Sequence, residues 1–431
     1  MSEKKPVTAV IVGAGHRAMI YAAYSEKHPG DLKIVGVAEP DRERREAVRV
    51  KYSIPEEYCF EDSFALARHD KLADCVINGT MDHQHAETSI PLLERGYDML
   101  LEKPFAVNEE EMNRLIAAAK KHGCKVMICH VLRYTPFYRK IKDLVRSGEL
   151  GDIINIQTVE NVSYHHVTTS YVRGKWGNSE LCHTPMLLAK CCHDLDIMMW
   201  MMDETKPVAV SSFGSKFQFK PENAPEGAGT RCLTDCPLAD TCTYSAKRIY
   251  LDHPNRWEFY VWQALENIKS PTREQREELL KTSPYGVCVY KADNDVVDHQ
   301  SVLVNFENGA TGTHNMVGGS ATALRTIHIT GTRGEVYGEF EHNYIKKLII
   351  NSAPKKEFDF TEYDLTEDEA MLSGHGGGDF NLTEDFIAYQ RGETPSVSCT
   401  SIFDSAAGHE TVFLAERSRL SGGAVQYFPE M

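Results

Sequence analysis

The chain has no apolar run long enough to cross a bilayer. Its longest stretches, such as residues 197–202, fall far short of the roughly 20 residues a spanning helix needs. It also lacks an excess of positive charge. With 47 Lys and Arg against 62 Asp and Glu, the formal net charge is −15, so nucleic acid is not the expected partner, because neutralising phosphates needs a basic surface. Internal repeats and low-complexity segments are missing as well, and a composition that is 42% hydrophobic and 25% charged gives disorder no support. Residues 1–6 are polar and lead straight into an apolar run, so no secretory leader is expected. Without one, the 12 cysteines read as reduced thiols of a cytoplasmic protein. What the chain does have is length. Its 431 residues exceed what one core usually supports, so two domains are expected.

Residues 7–12 form a continuous apolar run ending in Gly13, the pattern of a parallel strand buried on both faces. Further runs at 32–38, 73–78, 98–101 and 125–129 alternate with helical stretches at 17–27, 41–51, 87–94 and 109–122. The alternation predicts an α/β domain, a doubly wound parallel sheet over residues 1–130. After a helix at 137–146 the rhythm changes. Segments 153–162, 208–219, 302–306, 310–316, 325–330 and 346–351 alternate apolar with polar residues, which predicts an α+β domain with a largely antiparallel open sheet over 131–431. Helices are expected at 182–202 and, near the C-terminus, at 379–391 and 405–418. A stretch at about 220–250, rich in Gly, Pro and Cys, reads as a surface excursion.

The motif Gly13-Ala14-Gly15-His16-Arg17-Ala18 follows a strand and opens a helix, the context a dinucleotide fingerprint requires. Gly13 permits the tight turn, Gly15 lets a pyrophosphate approach the backbone N–H groups, and Ala18 allows close helix packing. Glu39 ends the next strand, about 20 residues further on, where a carboxylate accepts hydrogen bonds from ribose hydroxyls and repels a 2′-phosphate. NAD is therefore expected over NADP, although Arg44, with Arg42 and Arg45, stands close enough to meet a phosphate. Glu102-Lys103-Pro104 follows the fourth strand, at the sheet end that lines the ligand crevice. A lysine there can stabilise an alkoxide or pass a proton.

With these motifs, together with Thr80-Met81-Asp82-His83-Gln84-His85-Ala86-Glu87 and Cys192-His193-Asp194-Leu195-Asp196, the chain resembles the Gfo/Idh/MocA oxidoreductases. The resemblance implies that Glu102 and Lys103 sit at the nicotinamide, that Thr80, His85, His16 and Arg17 contact the cofactor, and that Lys103 and His193 are the catalytic pair at the substrate hydroxyl. One departure matters. Many dehydrogenases of the family carry an Asp four residues before this His, whereas here the position is Ala189, followed by Lys190. Either Lys103 with His193 carries the proton, which is the preferred reading, or Lys190 takes a share.

Further candidates lie in the second half. Tyr164, His166, Arg173 and Trp176 belong to a dense polar and aromatic stretch suited to sugar rings and hydroxyls. Arg133, Lys190 and His375, the last in a glycine-rich segment, complete the expected substrate contacts. Cys232, Cys236 and Cys242 are expected as thiolate ligands of a structural zinc, with Cys288, His253 or Cys182 as a fourth. The expected activity is NAD-dependent hydride transfer at a secondary hydroxyl of a sugar, glycoside or cyclitol by a homo-oligomer, dimer or tetramer. The alternative is a glycoside-cleaving enzyme that retains NAD and oxidises the ring transiently. A catalytically silent NAD-binding sensor would need neither Lys103 nor His193.

Overall fold

Continuous burial on both faces requires that the first strand, β1 (Val7–Val12), lie inside a sheet, and it does: Ala9, Val10 and Ile11 are fully buried. In the computed structural model, which describes residues 5–253, 256–266, 268–365 and 374–429 except the side chains of Gly374 and His375, β1 pairs in parallel with β2 (Leu32–Ala38) on one side. The strand on its other side, named in chain order after β3 (Cys59–Phe60), is β4 (Cys75–Asn78). With β5 (Asp98–Leu101) and β6 (Val126–Ile128) these form a six-stranded parallel sheet in the order β3-β2-β1-β4-β5-β6. The expected doubly wound sheet is present, with one more strand than the apolar runs announce, because β3 is only two residues long. The first helix is interrupted: His16–Ala22 and Tyr24–Lys27 replace one continuous helix.

The second sheet has nine strands. Its members are β7 (Ile153–Ser163), β8 (Pro207–Ser215), β9 (His299–Phe306), β10 (Thr311–Ser320), β11 (Leu324–Gly331), β12 (Gly334–Glu339), β13 (Tyr344–Ile350), β14 (Phe358–Asp364) and β15 (Gln426–Tyr427), in the order β14-β13-β12-β11-β7-β10-β9-β8-β15. Every pairing is antiparallel except β7 with β10. Burial along β9 alternates strictly, as a sheet covered on one face demands. The covering element is the helix Met186–Met201, in which every residue but Lys190 is buried.

Two features depart from the expected layout. The last helices, Gly378–Gln390 and Ile402–Leu420, do not serve the second sheet alone. Leu382, Phe386 and Ile387 pack with β1 and β2 residues, and Ile402 packs with Val126 and Ile128. The edge of β6 is covered by returning chain, with Ile128 N–H donating to the Thr400 carbonyl at 2.8 Å. Between β8 and β9 the surface excursion is a larger lobe than expected, with a small core of its own built on Cys232, Ala246, Ile249, Tyr250, Val261 and Leu280.

Candidate active site

The glycine turn is built from two different constraints. Gly13 has φ +74°, and a Cβ there would meet Thr80 Cγ2 and N at 2.9 Å. Gly15 caps the helix His16–Ala22 with ordinary backbone angles, and its nearest neighbour beyond the chain would be the Gly79 carbonyl at 3.8 Å. The protein leaves that space open above a helix N-terminus, the geometry that accepts a pyrophosphate. Ala18 is fully buried, and its close contact is with Gly79, where an added Cβ would come within 2.8 Å.

Glu39 is buried at the end of β2. Its carboxylate accepts from the Ala14 N–H at 2.6 Å and the Asp41 N–H at 2.9 Å, so it lies against the glycine turn. Arg44 points elsewhere: its guanidinium pairs with Glu266 of the inserted lobe at 2.9 Å. Arg45 donates to the Glu39 carbonyl.

At the end of β5, Glu102 accepts from Arg17 Nε at 2.8 Å, from the Tyr21 hydroxyl at 2.7 Å and from the Lys103 N–H at 2.9 Å. Burial opposes the Glu102 charge, but Arg17 and Lys103 outweigh it and hold the carboxyl below its usual value. Arg17 also pairs with Asp379 at 2.5 Å, tying the fingerprint helix to the far end of the chain. The Lys103 ammonium crosses to the second domain and donates to the Ala189 carbonyl at 3.2 Å, one turn before His193 on the same helix. The ring of His193 lies 5.5 Å from that of His130, which lies 5.6 Å from that of His409. His409 Nε2 accepts from the Phe105 N–H at 3.1 Å. Burial, then Arg133 and Lys103, pushes His130 well below the usual imidazole value.

Lys103 and Lys190 both lie close enough to His166 to act on its charge. Burial, then Lys190, Arg325, His165 and Lys103, lowers the His166 pKa. His166 stacks on Trp257 at 3.6 Å, in planes only 7° apart. Lys190 pairs with Glu160 at 3.1 Å, and burial lowers its pKa although Glu160 raises it. Glu160 in turn meets Arg325 at 2.5 Å, and Arg325 holds Asp194 at 3.0 Å. Trp176 donates its indole N–H to Asp82 at 2.8 Å, closing the second domain onto the loop after β4. Thr80 lies in that loop, its hydroxyl donating to Asn78 at 2.9 Å.

Several expected contacts have other surroundings. His85 is fully buried, its ring nitrogens facing the Pro104 carbonyl at 2.7 Å and the Thr80 carbonyl at 3.1 Å, so it clamps the loop after β5 to the loop after β4. Arg133 is spent on a buried bidentate pair with Asp196, at 2.7 and 2.5 Å. Arg173 is buried in the inserted lobe, donating to the Val287 and Tyr244 carbonyls, both at 2.7 Å. Tyr164 packs towards Tyr244 and Arg256 of the same lobe. His16 reaches Phe259, ring to ring at 5.4 Å. The side chain of His375 lies outside the described residues. The sequence did not single out Tyr21, His130 and His409 as neighbours of these groups, nor Trp257, Phe259 and Tyr260, whose rings lie 4.2–6.2 Å apart. The density of aromatics at 257–262 was the one available signal for the last three.

Residues 7–130 match the oxidoreductase family, NAD-binding Rossmann fold (GFO_IDH_MocA), and residues 142–401 match that family's C-terminal alpha/beta domain. The chain belongs to the Gfo/Idh/MocA family. As a member it is an NAD(P)-dependent oxidoreductase. It is 24% identical over 396 residues to the putative oxidoreductase YteT of Bacillus subtilis, covering 88% of each chain. It is 25% identical over 184 residues to trans-1,2-dihydrobenzene-1,2-diol dehydrogenase of Xenopus laevis, covering 43% of this chain and 53% of that one. Its fold is similar to that of an inositol dehydrogenase homolog from Azotobacter vinelandii complexed with NAD+ (TM-score 0.67, 16% identity, 99% of this chain and 98% of that one). It is also similar to the WlbA dehydrogenase from Chromobacterium violaceum in complex with NADH and UDP-GlcNAcA (TM-score 0.66, 16% identity, 99% and 97%). Among the described residues of this Gfo/Idh/MocA member no helix is long and apolar enough to cross a membrane.

Proposed function

We propose that this enzyme transfers hydride reversibly between NAD and a secondary hydroxyl of a sugar, glycoside or cyclitol. The observation that carries the reading is the reach of Lys103 from the dinucleotide domain to the Ala189 carbonyl beside His193. An ammonium between the two domains can stabilise the alkoxide that forms as hydride leaves, and His193 can take the hydroxyl proton. The buried Glu39 carboxylate supports NAD over NADP, because a 2′-phosphate would meet a negative charge while Arg44 is already neutralised by Glu266. NAD, when bound, supplies the hydride acceptor; Gly13, Gly15, Arg17, Glu102 and the Thr80 loop hold and orient it. Twelve free thiols fit a reducing cytoplasm, and the uncovered face of the second sheet fits a homo-oligomer.

The test is turnover of a panel of sugars, glycosides and inositols, followed by the absorbance of the reduced nicotinamide, with NAD and NADP in parallel. Turnover is expected with NAD, at least about tenfold above NADP, and Lys103→Ala should cost roughly 10²–10⁴-fold in kcat while NAD still binds. No turnover by NAD-loaded protein would refute it.

Ala189 favours a second reading, a glycoside-cleaving site that retains its cofactor: NAD, when bound, would supply transient oxidation of a ring carbon, which would acidify the neighbouring C–H and let the aglycone leave. Lys190, lowered by burial, is the candidate base. Release of an aryl leaving group without net NADH would identify it.

A further inference from the structure

The inserted lobe reaches back to the dinucleotide domain through one aromatic segment, and its cysteines do not explain why. Cys232, Cys236 and Cys242, expected at a zinc, line with Cys288 a void of about 20 Å³, room for one water. Among the described residues, the one group of three or more metal-ligating atoms within 4.8 Å of one another is Cys191, Asp194 and His314, between the helix Met186–Met201 and β10. As they stand, the lobe thiols do not form a tetrahedral cage.

The aromatic segment, residues 257–266, is two short helical turns, Glu258–Val261 and Trp262–Leu265. Trp257 opens it with φ +63°, a left-handed backbone that a bulky residue adopts only where its surroundings hold it. Here the stack on His166 does so. Glu266, at the other end, pairs with Arg44, just beyond Glu39. Between them Phe259 meets His16 of the glycine turn at 5.4 Å. Followed from Glu266 back to Trp257, the segment therefore runs from the ribose end of the crevice, past the pyrophosphate turn, to the His166 pocket.

Tyr260 carries a group that this packing leaves unused. Its ring stands edge-on to Trp176 at 6.0 Å, parallel to Trp257 at 6.2 Å and against Phe259 at 4.2 Å. Trp176 is itself bound to Asp82 of the loop after β4. The Tyr260 hydroxyl lies where Arg17, Glu102 and Asp82 all act on its charge. Among the described residues it has no hydrogen-bond partner. Burial raises its pKa, so at neutral pH the phenol keeps its proton and is a donor. Trp257, not Tyr260, meets His166, which sets Tyr260 on the cofactor side of the substrate groups, beside Glu102.

We propose that Tyr260 is a cofactor-binding residue whose hydroxyl donates a hydrogen bond to the nicotinamide riboside end of NAD. The inserted lobe is then a third wall of the crevice, added by the second domain. This inference rests on the NAD-dependent reading above.

The test compares Tyr260→Phe with the parent protein by calorimetric titration of NAD and of ADP, which has the adenosine and both phosphates but no nicotinamide riboside. Phe keeps the ring and its three aromatic contacts and removes the hydroxyl alone. The variant is expected to bind NAD about three- to tenfold more weakly, the loss of one neutral hydrogen bond, and ADP within about twofold of the parent. NAD affinity unchanged within twofold would overturn the proposal while leaving the NAD reading intact. An equal loss for ADP and NAD would also overturn it, because the hydroxyl would then be serving the fold. A parent protein that does not bind NAD would sink the underlying reading and this inference together.

Discussion

Gly13 and Gly15 stand two residues apart in one fingerprint and owe their identity to different partners. At Gly13 the positive φ and the Thr80 backbone exclude a side chain from within the protein. At Gly15 the nearest group is the Gly79 carbonyl at 3.8 Å, so the constraint there is the pyrophosphate of the proposed NAD site. Gly15→Ala should therefore leave the melting temperature unchanged within about 1 °C and weaken NAD binding at least about tenfold, whereas Gly13→Ala should lower stability itself. Thermal melts beside NAD titrations separate the two. The fingerprint, Glu39 and the Glu-Lys-Pro strand end are local patterns read from their spacing, and the structure sets them at the ends of β1, β2 and β5. The partners of the arginines were not local. Arg133 and Arg173 have the planar fork that suits a substrate, but Asp196 and the Val287 and Tyr244 carbonyls occupy them, and those partners lie more than 60 residues away in sequence. Local spacing does not reveal such a partner.

The helix Met186–Met201 and the elements around it enclose histidines that burial keeps neutral. His130, His166 and His409 are all pushed well below the ordinary imidazole value, and His314 falls to about 4, burial being the largest cause in each. The unfolded chain takes up protons at these groups at about 6.5, before the folded one does. Their contribution to stability is thus complete above that pH and falls away as the pH drops towards about 4. Asp196, raised by burial against Arg133, acts in the opposite sense over the carboxylate range. The melting temperature is expected to hold steady above about pH 7 and to decline from about pH 6.5 downward. A flat profile to pH 5 would show that these histidines are protonated in the folded protein. At this scale the long, strongly patterned elements were readable and the weak ones were not. Two glycines dilute the apolar alternation of β12, and the residues of β14 are mostly exposed, so neither carries the pattern of a half-buried strand. The parallel pairing of β7 with β10 joins residues about 155 apart, a choice of partner that alternation cannot encode.

At the scale of the molecule, the second sheet presents a face left uncovered by the described residues, on which Phe213, Leu303 and Val317 stand on adjacent strands β8, β9 and β10, 64%, 49% and 42% exposed. A second copy of this chain is the expected cover, since one apolar face meeting itself about a two-fold axis buries both. Light scattering should report a dimer or tetramer, and Leu303→Glu should shift it towards monomer without altering NAD affinity. A monomeric parent protein at micromolar concentration would refute that expectation.

The return of the chain's end to β6 bears on how the protein is made. Strands β1 to β6 leave the ribosome about 250 residues before Leu382, Phe386, Ile387 and Ile402, which complete their packing, and Thr400, which covers their edge. Until then the nascent dinucleotide domain holds an open strand edge and unburied apolar surface, the condition under which chains stick to one another or to chaperones. The His409 contact to Phe105 and the Asp379 contact to Arg17 arrive with the same late segment. A nascent chain that stops before residue 379 would lack those contacts, and synthesis of residues 379–409 is the event that finishes the crevice.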